Sequence, residues 1–203
     1  MSDATQPTVH VVDDDDAIRD ALSWLLRSRG VLARSWPSAE AFLAEYSEEM
    51  RGCLVLDVRM EGMSGPELFE HLLARRSRMP VIFLTGHGDV PLAVAALKKG
   101  AFDFVEKPFN DNELVDRIVA AVRQDESLRE QARTAASVAA RLAELTPRER
   151  QVMERVLAGD YNKTIADALG IAVRTVEVHR ARIFEKMSVR SAVELAQLLA
   201  AKR

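Results

Sequence analysis

The sequence predicts a doubly wound α/β domain with a five-stranded parallel sheet, then a smaller all-α domain joined to it by a long helical linker. Three observations carry this. Residues 8–122 alternate strand and helix patterns five times, which argues for a parallel sheet covered by helices on both faces. From Leu114 to Leu142 there is neither Gly nor Pro, so the fifth helix has no obvious stop. Residues 144–203 carry helix signals and no strand pattern.

The elements follow in order. Val9-His10-Val11-Val12, Cys53-Leu54-Val55-Leu56, Val81-Ile82-Phe83-Leu84 and Phe102-Asp103-Phe104-Val105 are short apolar runs that suit buried strands. Helical stretches fall near 15–29, 38–46, 65–76, 90–99 and from 111 onward, punctuated by Gly30, Gly52, Pro80 and Gly100. Asp15 and Asp16 open the first helix, where acids favour the dipole. His10 is expected to pack or to face a neighbouring strand, and Trp24 and Trp36 to pack in the core or on the surface. His87 and Asp89 read as loop residues. On the fifth helix, positions 114, 118, 121, 125, 128, 132, 135, 139 and 142 follow a 4-3 spacing and are apolar except Asp125. That pattern fits a weak coiled-coil seam and an Ala-rich linker without a partner equally well. Thr146-Pro147-Arg148-Glu149 is a capping box with Pro at the first helical position, and Ser191-Ala192-Val193-Glu194 fits the same box. Two further helices, about 162–169 and 173–187, meet at a tight turn marked by Gly170. The expected division is 1–122, 123–143 and 144–203.

Composition narrows the setting. One cysteine, Cys53, excludes a disulfide framework and points to a reducing cytoplasm; its apolar neighbours make it a buried inert thiol. The apolar runs of the first half fall far short of the roughly 20 residues that cross a membrane. Met1 to Thr8 is polar and has no basic, apolar signal segment. The net charge of −3 hides an asymmetry. Residues 1–122 hold 13 basic and 20 acidic residues, net −7, whereas residues 123–203 hold 15 and 11, net +4. The basic half has nucleic acid as a candidate partner.

The strand runs share one chemical property: each ends on a reactive or charged residue. Asp13 and Asp14 end the first, Asp57 the second, Thr85 the third and Lys107 the last. In an open parallel sheet, ligands bind beyond the carboxyl ends of the strands, at the switch point in strand order. Three acids, a hydroxyl and a lysine gathered there suit a divalent cation and a phosphoryl group.

Val11-Val12-Asp13-Asp14, Leu56-Asp57-Val58-Arg59-Met60, Thr85-Gly86-His87-Gly88-Asp89 and Glu106-Lys107-Pro108-Phe109 resemble, in order and spacing, the flavodoxin-like receiver domain of bacterial response regulators. The resemblance implies that Asp57 is the phosphoacceptor, forming an aspartyl phosphate. It implies Mg²⁺ held by Asp13, Asp14, Asp57 and the backbone carbonyl of Arg59, a hard cation on oxygen ligands. Lys107 would neutralise charge on the transferring group, Thr85 would turn toward a phosphoryl oxygen, and Phe104 would be the aromatic switch that moves with Thr85. A cis peptide is implied at Lys107-Pro108. Glu61 stands where the family usually has Pro; this loosens the loop and adds negative charge near the metal.

Leu145-Thr146-Pro147-Arg148-Glu149-Arg150, Asn162-Lys163-Thr164-Ile165-Ala166 and Thr175-Val176-Glu177-Val178-His179 resemble the LuxR/NarL-type helix-turn-helix, so that the whole chain is similar to a FixJ-type response regulator. A projection at about 100° per residue gives an independent reading. It places Val173, Val176, Ile183 and Met187 on a core stripe and Arg174, Val178, Ala181, Arg182 and Glu185 opposite. Val178 suits a thymine methyl, and Arg174 and Arg182 suit phosphate or guanine. Lys163 and Thr164 suit phosphates, His179 reaches one from the flank, and Thr175 lies in the matching motif. Arg180 falls on the core side, as a salt bridge or a snorkelling contact. Ala172-Val173 replaces the Ser-Pro of many relatives, removing a cap at a cost of about 1 kcal/mol.

The expected function is a cytoplasmic transcription regulator, not an enzyme. The resemblance implies that a sensor histidine kinase donates the phosphoryl group, that the phosphorylated chain dimerises through the face spanning about 90–118, that double-stranded promoter DNA is bound, and that RNA polymerase is a further partner. Two alternatives stand beside it. An aspartyl-phosphate phosphohydrolase also needs a strand-end Asp and Mg²⁺, but usually has a second Asp where this chain has Arg59. A DNA-binding protein could use the first domain solely as a constitutive dimer module.

Overall fold

The computed structural model describes residues 6–86 and 90–200; the expected loop residues His87 and Asp89 lie outside the described residues. The chain forms two compact units, Met1–Arg129 and Glu130–Arg203.

The first unit alternates β1 (Thr8–Val12), α1 (Asp16–Ser28), β2 (Ala33–Trp36), α2 (Ala39–Glu45), β3 (Gly52–Asp57), α3 (Gly65–Ala74), β4 (Val81–Thr85), α4 (Val90–Lys98) and β5 (Asp103–Glu106), and ends in the first turns of α5 (Asp111–Ala143). The strands run in the order β2-β1-β3-β4-β5, and every neighbouring pair is parallel. Central strands β3 and β4 are buried at every residue, which is why they read as unbroken apolar runs rather than as alternation. The period of two still sorts their side chains. Leu54, Leu56, Val81 and Phe83 join Phe42, Leu68 and Leu72 on one face of the sheet. Cys53, Val55, Ile82 and Leu84 join Leu22, Leu26, Leu114 and Ile118 on the other. Each buried Leu or Ile contributes roughly 1.5–3 kcal/mol. Connections leave β1 and β3 toward opposite faces, so a crevice opens beyond Val12 and Leu56, where the acids were expected.

His10 and Trp36 lie in this core, at 4% and 3% exposure, while Trp24 is an exposed residue of α1. The His10 ring meets those of Trp36 and Phe42 at centroid distances of 6.4 and 5.8 Å. Burial first, then the charge of Arg34, pull its pKa down to about 4, against a smaller opposite pull from the backbone of Arg51. Because the folded pKa lies below the unfolded one, the unfolded chain takes up the proton first. Stability is therefore complete above about pH 6.5 and falls as the pH drops toward 4, by about 3 kcal/mol from this residue. Urea melts followed by tryptophan fluorescence should show that slope, and His10→Phe should flatten it. An unchanged slope in the variant would remove His10 as its cause.

Asp125 is the one polar residue of the 4-3 pattern on α5, and it is buried at 1% exposure. Its Oδ2 accepts the backbone N–H of Gly52 at 2.9 Å, and both its oxygens accept Arg129 Nε at 2.8–2.9 Å. Arg129 in turn donates to the carbonyl of Met50. Gly52 itself is required there: its φ is +110°, and a Cβ would stand 2.1 Å from the carbonyl oxygen of Thr8. The carboxylate thus ties α5 to the start of β3. Leu114, Ile118 and Ala121 are likewise spent in the core of the first unit, so the early part of the 4-3 pattern is not a free coiled-coil seam.

In the second unit, the end of α5 is followed by α6 (Pro147–Leu157), α7 (Asn162–Leu169), α8 (Val173–Met187) and α9 (Ala192–Ala200). Val138, Val152, Val156, Ile165, Val176, Ile183, Met187 and Leu195 form their shared core. Both arms of the Thr146 capping box are made, and buried Glu149 also takes Lys186 Nζ at 2.8 Å. That hydrogen bond first, with those at Thr146, holds the Glu149 carboxyl at about 2. The second expected box is made only in part: Ser191 Oγ accepts the N–H of Glu194, but the Glu194 carboxylate takes the N–H of Arg190. Val173 departs from the expected core stripe, with 42% exposure. It is the first residue of α8, and helical side chains lean toward the N-terminus, which carries this one past the end of the core.

Candidate functional site

The carboxyl ends of β1, β3 and β5 bring four of the expected residues together. Lys107 Nζ donates to Asp57 Oδ1 at 2.6 Å and to Asp13 Oδ2 at 2.9 Å. Asp13 is fixed on its other side too: Oδ1 accepts the N–H of Asp15, and its carbonyl accepts Arg19 Nη1 at 2.7 Å. Asp15 then caps α1 through the N–H of Ala17. Asp14 is exposed, and its Oδ2 accepts the N–H of Glu61 at 3.0 Å. Arg59 is drawn to the same centre, its N–H donating to Asp57 Oδ2 at 3.0 Å.

Burial raises the Asp57 carboxyl above its usual range, and the charge of Asp13 adds to this; Lys107 opposes both without cancelling them. On Lys107, burial alone would lower the pKa, but the two carboxylates outweigh it and the ammonium is held above its ordinary value. Position 57 is thus a nearly buried carboxylate (7% exposed) with a fixed cation against one oxygen. Asp13, Asp14 and Asp57 each bring an oxygen within 4.8 Å of the others'. An all-oxygen, carboxylate-rich donor set suits a hard divalent cation.

The backbone around Asp57 is tightly held. The N–H of Gly65 donates to the carbonyl of Val58 at 3.1 Å, and a Cβ at Gly65 would stand 2.1 Å from the carbonyl oxygen of Asp57. Thr85, at the end of β4, is fully buried, and its hydroxyl donates to the carbonyl of Gly86 at 3.2 Å rather than to the acids. Phe104 is half-buried, pairs in register with Phe83 and packs against the core cluster on that side. The Lys107-Pro108 peptide is cis. Arg19 and Gly65 belong to this site and were not singled out from sequence; the signal for Gly65 was its place between Ser64 and Pro66, just before a helix.

In the second unit, α7 and α8 meet at Gly170, which takes the left-handed conformation. Neither helix has a side-chain cap on its first turn, the cap positions being Tyr161 and Ala172. Arg174, Thr175, Val178, Ala181, Arg182 and Glu185 are all exposed on α8, as are Lys163 and Thr164 on α7. Arg174 pairs with Glu177 at 3.1 Å. His179 is half-buried, and its Nδ1 has no hydrogen-bond partner. The Arg180 guanidinium lies 5.6 Å from the ring centre of Phe184.

Residues 9–119 match the response regulator receiver domain, and residues 143–199 match the bacterial regulatory proteins of the luxR family. The chain is a response regulator. It is similar to the C4-dicarboxylate transport transcriptional regulatory protein DctR of Rhodobacter capsulatus, at 53% identity over 94% of this chain and 98% of that protein. It is also similar to FixJ of Bradyrhizobium diazoefficiens, at 47% identity over 96% and 95%. Among solved structures, the response regulator StyR superposes with a TM-score of 0.89 at 43% identity, covering 97% of this chain and 99% of that one. Full-length FixJ from B. japonicum superposes with a TM-score of 0.61 at 46% identity, covering 98% of each. Response regulators of this class are phosphorylation-controlled, DNA-binding transcription factors of two-component systems rather than enzymes, and their two domains imply a histidine kinase and DNA as partners. Among the described residues, no helix of this response regulator is long and apolar enough to cross a membrane.

Proposed function

We propose that Asp57 is the phosphoacceptor of this response regulator. The observation that carries this is the placement of one ammonium, Lys107, against both Asp57 and Asp13 in a crevice where three carboxylates converge. A carboxylate oxygen of Asp57 forms the new P–O bond while the P–N bond to the kinase's phosphohistidine breaks, and the imidazole leaves with a proton. Asp13, Asp14, Asp57 and the Arg59 carbonyl would hold Mg²⁺, which neutralises charge on the transferring group when bound. Lys107 supplies a fixed positive charge to the same group. Thr85 then exchanges its bond to Gly86 for one to a phosphoryl oxygen, and Phe104, one strand over, moves with it.

Residues 1–122 act as the phosphoacceptor domain, 123–143 as the helical linker and 144–203 as the DNA-binding domain. Phosphorylation promotes dimerisation through α4, β5 and the start of α5; the exposed Leu92 and Val94 on α4 support that face. Paired DNA-binding domains then span two half-sites in promoter DNA. Val178, Arg174, Thr175 and Arg182 face the bases and nearby phosphates, while Lys163, Thr164 and His179 hold the backbone. The protein works in the cytoplasm, with RNA polymerase as a downstream partner.

Sedimentation velocity with Mg²⁺ and beryllofluoride, a phosphoryl mimic, tests this reading. The wild-type chain is expected to shift from monomer to dimer and Asp57→Asn to stay unchanged. A shift in both would remove Asp57 from the mechanism.

A further inference from the structure

The loop between β3 and α3 is strung on carboxylates by its own backbone. The N–H of Arg59 donates to Asp57, that of Glu61 to Asp14, that of Met63 to Glu40 at 2.8 Å, and that of Ser64 to Glu67 at 2.8 Å. Three of these bonds fix the loop to neighbouring elements or to its own capping residue. The bond from Glu61 reaches 47 residues back along the chain, to an exposed acid of the metal-binding set. The bond fixes the direction of the Asp14 carboxylate, whose remaining lone pairs can still take a cation.

We propose that the backbone amide of Glu61 is a positioning group for divalent-cation binding, orienting Asp14 before the ion arrives. The proposal rests on the reading of Asp13, Asp14 and Asp57 as the cation site. The physical reason is preorganisation: an exposed carboxylate on a loop loses rotational freedom when it binds an ion, and a donor that holds it in advance removes part of that cost. Groups that hold a ligand residue in this way typically change metal affinity 10- to 100-fold. The role belongs to the main chain, so any residue with an N–H can fill it. Proline cannot, because it has no N–H to give. Glu61 therefore brings to the site a donor that a proline at this position would withhold, while its own carboxylate stays exposed to solvent.

The test is Mg²⁺ binding to the full chain by isothermal titration calorimetry, with no phosphoryl donor present. Glu61→Ala keeps the amide and removes the carboxylate; Glu61→Pro removes both. Glu61→Ala is expected to bind within about twofold of wild type, and Glu61→Pro about tenfold more weakly. Equal binding by Glu61→Pro and wild type would overturn the proposal, as would an equal loss in the two variants, which would assign the effect to the carboxylate. No Mg²⁺ binding by the wild type would overturn the cation site itself. Amide hydrogen exchange measured by NMR needs no proline and gives a second reading. The Glu61 amide is expected to exchange faster in Asp14→Ala than in the wild-type chain, and an unchanged rate would contradict the bond.

Discussion

Replacing Lys107 with Met will slow phosphoryl transfer to Asp57 by at least about 100-fold. Two effects act in the same direction. Lys107 is bonded to both Asp57 and Asp13, so its removal leaves two largely buried carboxylates facing each other without their fixed ammonium. Burial and Asp13 already hold the Asp57 carboxyl above its usual range, and the Lys107 ammonium is the charge that opposes them. The positive charge that would meet the incoming phosphoryl group is lost as well, and removing one such group typically costs 10²–10³-fold in rate. Uptake from phosphoramidate, resolved by phosphate-affinity electrophoresis, measures the effect. Lys107→Arg should recover part of the rate, since it restores the charge with a different shape. A Lys107→Met rate within threefold of wild type would make Lys107 a structural residue only.

Asp125→Ala will destabilise the first unit by about 2–3 kcal/mol. The substitution strands the buried N–H of Gly52 and leaves Arg129 without its carboxylate. Stranding a buried donor costs about 1–3 kcal/mol, and losing a buried ion pair adds to it. Arg129 keeps 27% of its side chain exposed and can turn to water, which holds the total below that of a fully buried pair. Both tryptophans, Trp24 and Trp36, lie in the first unit, so fluorescence during urea unfolding reports on that unit alone. Arg129→Ala should cost at least as much as Asp125→Ala, because it leaves a buried carboxylate without its cation, with only the N–H of Gly52 to hold it. A loss below about 0.5 kcal/mol in Asp125→Ala would mean that water replaces the carboxylate at no cost.

These two residues show what was legible in the sequence. Lys107 stood out because it ends an apolar run and is followed by Pro108, and Asp13, Asp14 and Asp57 because they too end such runs: strand ends in a parallel sheet are set by short-range pattern, and the chemistry collects there. Asp125 was visible only as an exception in an apolar spacing. Its backbone partner, Gly52, lies 73 residues away, and such a bond leaves no local signature. Its one local clue was Arg129, an i,i+4 cation on the same helix. Edge strand β2 was implied by the alternation, but its own residues were not read as a run, because Arg34 and Ser35 face outward at the sheet's margin. Val173 and Ser191 departed for end effects: helix periodicity does not register where a core stops, nor which of two adjacent N–H groups a capping carboxylate will choose. Glu61 was legible as a departure from a family pattern, yet its donated amide was not, because every residue but proline carries one.

If Asp57 is the phosphoacceptor, one carboxylate among the 203 residues takes the phosphoryl group. The most direct measurement is to expose the full chain to phosphoramidate and Mg²⁺, trap acyl phosphate with borohydride, and map the product by peptide mass spectrometry. Trapping converts a phosphorylated aspartate to homoserine. Conversion is predicted at Asp57 alone, lost on omission of Mg²⁺ and absent from Asp57→Asn. Conversion at another aspartate, or none in a wild-type chain shown to bind Mg²⁺, would contradict the account.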